Sequence, residues 1–254
     1  MSKKLSGAIG IVKLSKKYGN NMKKEIYVFS DNHNNNIYCS KNFNKSYNII
    51  DFIKKHKDDQ ILLEEIDKAQ IKKGNYNFLW NVPHSKELQK LYRNTTFINP
   101  TDIRNRYIDY TLDIENIDNT FIDSYAYKLD NFFLKKKFNL DNLYKLLKSR
   151  IYKTSGIAKH YYFLRNKYIK ERKKFKNDNI TIDMINYYLD SIMEWYTIIL
   201  ILSSPKKTIL HTGLLHSSNI IDLLVKLYKY DIYYKNGINS IEEFDTDSAS
   251  CINI

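Results

Sequence analysis

Residues 207–219 read KTILHTGLLHSSN, an apolar run that turns polar around a glycine and leads into helix-forming residues. A short run of this kind, rich in apolar and β-branched residues, is typical of a strand buried on both faces of a parallel sheet. The next segment, 217–230, has an apolar stripe at helical spacing, formed by Ile220, Leu223, Leu224 and Leu227. A strand that turns at Gly213 into a helix predicts a βα unit with His216 at the edge of the sheet.

Three similar apolar runs precede this one: EIYVFS at 25–30, QILLEE at 60–65 and TTFIN at 95–99. Segments with helical periodicity lie between the runs, at 46–58 and 84–94. Strands that alternate with helices predict an α/β fold with a mainly parallel sheet flanked by helices.

The chain changes character between residues 116 and 203, where long helical stretches follow one another without strand-like runs. We interpret this region as a helical insertion in one structural domain. The α/β core is then formed by residues 1–115 and 204–240, and the polar segment 241–254 is expected to be a loose tail.

Composition limits the class of protein. Of 254 residues, 43% are hydrophobic, which is enough to build a core and argues against global disorder. The net charge of +13 would suit an anionic partner such as nucleic acid. However, lysines are spread along the whole chain, and the abundance of Lys, Asn, Ile and Tyr is typical of AT-rich codons. Nucleic-acid binding is therefore an alternative that we do not favour.

The sequence also predicts where the protein resides. Cys39 and Cys251 are its only cysteines and show no framework spacing, which favours a reducing intracellular compartment. The N-terminus lacks the apolar stretch of a signal peptide. The most apolar segment, 195–202, is far shorter than the roughly 20 residues of a membrane span. We therefore expect a soluble, cytoplasmic protein.

Polar residues follow each of the four apolar runs. The first run leads to Asp31 and His33, the second to Glu64 and Glu65, and the third to Asp102 and Arg104; the fourth contains His211 and ends near Gly213 and His216. The carboxyl ends of parallel strands share one edge of a sheet, and ligands bind in the crevice there. These side chains are therefore expected to form one site.

Imidazoles, carboxylates and a guanidinium support hydrolysis in two ways. They can hold a divalent metal that activates a bound water, or a His or Glu can act as general base while the Arg stabilises negative charge. Simpler roles compete at each position, such as helix capping for Asp31, pairing of Arg104 with Asp102, or a hydrogen-bonded core position for His211. His56, His84 and His160 are assigned no role.

The ordered motifs resemble a known superfamily. SDNH at 30–33, LLEE at 62–65, DIR at 102–104 and HTGLLH at 211–216 are similar to motifs of the group that joins TraB/PrgY and Tiki proteins, erythromycin esterases and ChaN-like haem-binding proteins. The Gly-x-x-His motif at 213–216 is intact. In the first motif Ser30 stands in place of glycine, and Asp31 stands where esterase-like members often have Glu.

The resemblance implies a metal-dependent peptidase or an esterase acting on a small-molecule or peptide substrate. By this resemblance, His33 would be a metal ligand or the general base, and Glu64 would be a ligand or the partner of the base. His216 would be a ligand or would stabilise the transition state, and Arg104 would bind an anionic group of the substrate. Asp31 would complete the set of metal ligands. Glu65, Asp102, His211 and Gly213 are secondary candidates.

Two alternatives to this prediction remain open. Because Ser30 replaces the glycine of the first motif, the chain could be a catalytically inactive binding or host-interaction protein on the same fold. The stretch FSDNHNN at 29–35 also resembles the first motif of calcineurin-like metallophosphoesterases, but the later Gly-Asp, Gly-Asn-His and Gly-His-x-His motifs of that family are absent from the sequence.

Overall fold

The computed structural model describes residues 3–18, 22–33, 36–66, 68, 82–102, 126–127, 129–130, 132–134, 155–174, 181–244 and 248–254. The chain forms two compact units. The first contains Met1–Thr101 and Ser204–Ile254, and the second contains Asp102–Ser203. Much of the region expected as a helical insertion, including 116–125 and 135–154, lies outside the described residues, as do residues 103–115 of the expected core.

The described residues of the first unit contain eight strands, three α-helices and two 3-10 helices, Phe43–Lys45 and Ile241–Glu243. The strands are β1 (Lys4–Ser6), β2 (Gly10–Tyr18), β3 (Met22–Asp31), β4 (Gln60–Ile66), β5 (Ile98–Asp102), β6 (Thr208–Gly213), β7 (Asp231–Gly237) and β8 (Cys251–Asn253). The α-helices are α1 (Ile49–Lys55), α2 (Pro83–Asn94) and, after the two helices of the second unit, α5 (Leu214–Lys226).

Six of the strands form a mixed sheet in the order β5-β4-β6-β3-β2-β7. The central strand β6 pairs in parallel with β3 and with β4, whereas β2 pairs antiparallel with β3 and β7. The fold is thus α/β, and each of the four apolar runs lies in or overlaps one of the strands β3, β4, β5 and β6.

Strand β6 is buried along its whole length, because it has neighbours on both sides and helices pack on the sheet. Phe29, Ile61 and Ile209 pack with residues of α1 and α2 in one hydrophobic core. Helix α5 packs on β3 and β6. Burial on both faces explains why β6, with the sequence TILHTG, contains no ionisable side chain other than its one histidine and does not alternate apolar with polar residues.

The second unit contains helices α3 (Ser155–Lys174) and α4 (Ile182–Ser203), which pack against each other. The indole nitrogen of Trp195 donates to the Ile157 carbonyl oxygen at 3.2 Å, and the Tyr168 hydroxyl donates to Asp130 at 2.7 Å. No helix in the described part of either unit has the length and apolar character that a membrane crossing requires.

The C-terminal residues differ from the loose tail expected for 241–254. Strand β8 pairs antiparallel with β1, and Ile252 is buried in the hydrophobic core. Cys251 forms a disulfide with Cys39 across a sequence separation of 212 residues. The spacing of the cysteines carried no sign of this pairing, because the fold alone brings the two segments together. The disulfide removes the basis on which the cysteines were expected to indicate a reducing compartment.

The central position of β6 gives a testable prediction for stability. Ile209 is fully buried and lies between Tyr27 and Ile61 of the neighbouring strands. We expect Ile209→Ala to lower the free energy of unfolding by about 2–5 kcal/mol, because it leaves a cavity in a packed core. Chemical denaturation measures this change.

The matched control for this prediction is Ile232→Ala on the edge strand β7, where the side chain is 47% exposed. This control is expected to stay within about 0.5 kcal/mol of the parent. Equal effects of the two substitutions would contradict the central position of β6.

Candidate active site

The site lies where β3, β4 and β6 end. The register pairs Asp31 with Gly213 and Leu63 with His211, so the ends of the three strands are level. The Glu64 carboxylate reaches across to β6, where its Oε2 atom accepts from the Thr212 hydroxyl at 2.6 Å and from the Gly213 N–H at 2.7 Å. Glu64 thus ties β4 to the point where β6 becomes α5.

Asp31 is the buried centre of the site. Its side chain is 1% exposed, and Oδ2 lies 3.0 Å from Nδ1 of His33. On its other side, Nε2 of His84 lies 2.9 Å from Oδ1 and 3.0 Å from Oδ2. A buried carboxylate is tolerated when charged or hydrogen-bonding partners surround it, and the two imidazoles supply this environment.

These contacts shift the pKa values of both partners. Burial by itself would raise the pKa of Asp31, but the adjacent His84 and His33 hold it well below its ordinary range. Burial would likewise lower the pKa of His33, but the hydrogen bond to Asp31 and the charges of Asp31, Glu64 and Glu65 raise it to about 9. At neutral pH the pair is therefore a carboxylate and an imidazolium.

Glu64 lies between two imidazoles. Nε2 of His33 is 3.9 Å from its Oε2 atom, and Nε2 of His216 is 3.5 Å from its Oε1 atom. The side chains of His33 and Glu64 remain 20% and 12% exposed, in contrast to Asp31. Water can therefore reach the outer part of the site while its anchoring carboxylate stays dry.

Gly213 makes this close arrangement possible. A Cβ atom at this position would lie 3.1 Å from Nε2 of His33 and 3.4 Å from Oε2 of Glu64. A side chain here would make His33 shift by a few tenths of an ångström and would be in ordinary contact with Glu64. Helix α5 begins directly after this glycine, at Leu214, and not near residue 217 as the sequence indicated, so that His216 lies in the first turn of the helix.

Ser30, the departure from the glycine of the first motif, is accommodated away from the site. Its hydroxyl accepts from the Ser217 hydroxyl of α5 at 2.8 Å, and both residues are fully buried. Successive side chains of a strand point to opposite faces, so Ser30 faces α5 while Asp31 faces the histidines.

The other predicted residues have varied positions. His211 is buried, with Nε2 at 3.0 Å from the Gly7 carbonyl oxygen and 4.0 Å from Asp31; burial lowers its pKa. Glu65 lines the same cavity as His33 and Glu64. Asp102 is buried at the end of β5. Arg104 lies outside the described residues.

His84 is the residue that sequence reasoning missed. It stands next to Pro83 in the first turn of α2, a position with no motif around it, yet its fully buried ring makes two hydrogen-bond contacts to Asp31. The one available signal was a histidine on the buried face of a short amphipathic helix. That signal does not specify its partner, 53 residues earlier in the chain.

The cavity at the site is small. Its volume is about 20 Å³, which leaves room for about one ordered water. Within the described residues, no group of three or more His, Cys, Asp or Glu side chains is arranged to hold a metal ion.

Comparisons of the chain with protein-family models, with curated proteins and with solved structures found no match. The fold and the site described above are therefore the basis for any statement about function.

The Asp31–His33 pair gives a prediction about pH. We expect Asp31→Asn to lower the pKa of His33 from about 9, because the hydrogen-bonded anion is removed. In the parent protein, the stabilisation from the pair is complete below the ordinary histidine pKa of 6.5 and is lost as the pH rises through about 9. NMR titration of the histidine ring protons and denaturation at several pH values measure both effects.

Asp59→Asn is the matched control for this experiment, since Asp59 contacts Nδ1 of His56 at 2.9 Å away from the site. The control is expected to leave the titration of His33 unchanged. A His33 pKa near 9 that survives Asp31→Asn would contradict the assignment of Asp31 as its partner.

Proposed function

We propose that the protein is a hydrolase that uses His33, Glu64 and His216 at the carboxyl edge of its parallel strands. One observation carries this proposal: Glu64 lies between the Nε2 atoms of two imidazoles, and one of these, His33, is oriented through Nδ1 by the buried Asp31. A carboxylate that fixes a histidine so that its second nitrogen faces the reaction is a recurrent arrangement in hydrolytic sites.

In this proposal His33 supplies the proton. With a pKa of about 9 it is protonated near neutral pH, so its Nε2–H faces the site as a donor. Such a donor stabilises the oxyanion that develops when water attacks a carbonyl carbon, and it then protonates the leaving group. Its role is therefore acid, in place of the base that the resemblance implied.

Glu64 is the base in this scheme. Its Oε2 atom is held by Thr212 and Gly213, while its Oε1 atom is directed to His216. A water bound between Glu64 Oε1 and His216 transfers a proton to the carboxylate as it attacks the substrate. His216 orients this water, and substrates of the ester or peptide class contain the carbonyl carbon that the reaction requires.

The resemblance to the TraB/Tiki and erythromycin esterase group supports the same chemistry. The proposal therefore includes the erythromycin esterase/ChaN-like architecture for the sheet, and Arg104 as the clamp for an anionic part of the substrate. The mixed six-stranded sheet agrees with the coarse features of such an architecture.

A divalent metal is an alternative to this acid–base scheme, because it would take the place of the proton on Nε2 of His33. Its other ligand atoms would be Nε2 of His216 and a carboxylate oxygen of Glu64. Two ligand atoms of a tetrahedral zinc are separated by about 3.3 Å. Nε2 of His33 lies 3.9 Å from Oε2 of Glu64 and Nε2 of His216 lies 3.5 Å from Oε1, so the side chains would have to move closer together around one ion. The ion would lower the pKa of a bound water. Asp31 would then orient His33 as a hydrogen-bond partner and not as a ligand.

Titration calorimetry with Zn²⁺ and with Mn²⁺ tests the metal. We expect one equivalent to bind the parent protein and none to bind His216→Ala, because removal of one imidazole leaves an incomplete ligand set. His56→Ala, which removes an imidazole outside the site, is the matched control. The absence of binding to the parent would remove the metal from the proposal and leave the acid–base scheme.

A non-catalytic binding protein is the second candidate. The small volume of the cavity favours it, because about one water fits where a substrate group must enter. On this alternative, Asp31 and its histidines only stabilise the fold.

Activity assays separate the two candidates. We expect the parent protein to hydrolyse members of a panel of activated esters and fluorogenic peptides, and Glu64→Gln and His33→Asn to lower kcat/KM by about 10²- to 10⁴-fold through loss of acid–base catalysis. Glu87→Gln, which alters an exposed ion pair with Lys90 on α2, should retain activity. Circular dichroism and Tm verify that each variant is folded.

Two results would refute the hydrolase proposal. One is the absence of turnover by the parent across the panel, with and without Zn²⁺ or Mn²⁺. The other is turnover that persists unchanged in Glu64→Gln.

A further inference from the structure

Tyr38 completes a chain of contacts behind the proposed acid. Its hydroxyl oxygen lies 2.8 Å from Nδ1 of His84, and the opposite nitrogen of that ring contacts Asp31, whose Oδ2 atom lies 3.0 Å from Nδ1 of His33. The Tyr38 and His84 rings meet edge to face, with their centroids 5.6 Å apart. The chain therefore extends from the half-buried surface to the proton donor of the site.

The chemistry of these groups fixes one hydrogen position. An ionised carboxylate only accepts hydrogen bonds, so Nε2 of His84 carries the hydrogen that faces Asp31. When the ring carries only this hydrogen, Nδ1 is an acceptor and the Tyr38 hydroxyl is its donor. Burial and the nearby charge of Asp31 raise the pKa of Tyr38 to about 12, so the hydroxyl keeps its proton.

The disulfide holds Tyr38 in this position. Cys39, the next residue, is bonded to Cys251 at the start of β8. Around it, the Ser250 N–H donates to the Ile37 carbonyl at 2.7 Å, and the Cys39 N–H donates to the Ser6 hydroxyl at 3.1 Å. The segment that carries Tyr38 is thus tied to β1 and β8, which are themselves paired.

We infer that Tyr38 and His84 are positioning residues for the Asp31–His33 pair, and that the Cys39–Cys251 disulfide clamps Tyr38 against His84. Tyr38 selects the Nε2–H form of His84, so that this ring donates to Asp31 and does not compete with it as an acceptor. The inference extends the proposed function, since it says what positions its acid, but it can be tested without turnover.

The clamp can be opened chemically. A dithiol such as dithiothreitol transfers two electrons and two protons to the bond between Cys39 and Cys251. The disulfide becomes two thiols, and the reagent becomes a cyclic disulfide. Tyr38 then loses its covalent link to β8 and keeps only the backbone contacts around it.

NMR of the full chain labelled with ¹⁵N-histidine tests the inference. The His84 signals are assigned by their loss in His84→Gln. In the oxidised parent we expect a protonated Nε2 and an unprotonated, hydrogen-bonded Nδ1. In Tyr38→Phe the Nδ1 signal should shift to higher frequency or the ring should change tautomer, because its donor is gone. Reduction, and the double variant Cys39→Ser with Cys251→Ser, should shift the same signal in the same direction.

Tyr47→Phe is the matched control, because Tyr47 packs on the same hydrophobic core and Lys3 lies over its ring. It should leave the His84 signals in place. A His84 spectrum unchanged by Tyr38→Phe, or a protonated Nδ1 in the parent, would overturn the role of Tyr38. Signals unchanged by reduction, or free Cys39 and Cys251 thiols in unreduced protein by mass spectrometry, would overturn the clamp.

The outcomes also separate this inference from the hydrolase proposal. The expected NMR shifts in a protein without turnover would uphold the positioning of Asp31 and reject the hydrolase. Turnover with unchanged NMR signals would uphold the hydrolase proposal and reject the positioning roles of Tyr38 and His84.

Discussion

The ionised carboxylate of Asp31, enclosed at the end of β3, is the constraint on which the site depends. Removing such a charge from water costs several kcal/mol even after relaxation, and the cost is offset only by partners of good geometry. His33 and His84 are those partners, and they come from different elements, the turn after β3 and the first turn of α2. The position of α2 over the sheet is therefore coupled to the ionisation of the Asp31 carboxylate.

A second set of contacts connects secondary-structure elements on the other side of the site. Glu64 receives hydrogen bonds from Thr212 and Gly213, so that the end of β4 is attached to the point where β6 becomes α5. The absence of a side chain at Gly213 brings this backbone within reach of both Glu64 and His33. The contacts that hold the strand ends together are thus the same contacts that place the proposed acid and base.

How well each structural feature could be predicted depends on how far apart in sequence the interacting residues lie. The four apolar runs predicted strands because burial on both faces requires continuously apolar sequence, and each run lies in or overlaps a strand of the sheet. The start of α5 was placed three residues too late, since the N-cap is Gly213, which has no side chain to make a capping hydrogen bond. Strand β8 and the disulfide were not foreseen, because both depend on chain segments that lie at least 212 residues apart.

By itself, the sequence determined the α/β alternation and the polar residues at the strand ends, because both follow from local hydrophobic patterning. The geometry that joins Asp31, His33, Glu64 and His216, the addition of His84, and the support from Tyr38 were decided only by tertiary structure. The physical reason is that the cost of burying a carboxylate is set by the partners that folding brings to it. One of those partners, His84, lies 53 residues from Asp31 in sequence, on a helix whose position relative to β3 no local pattern encodes.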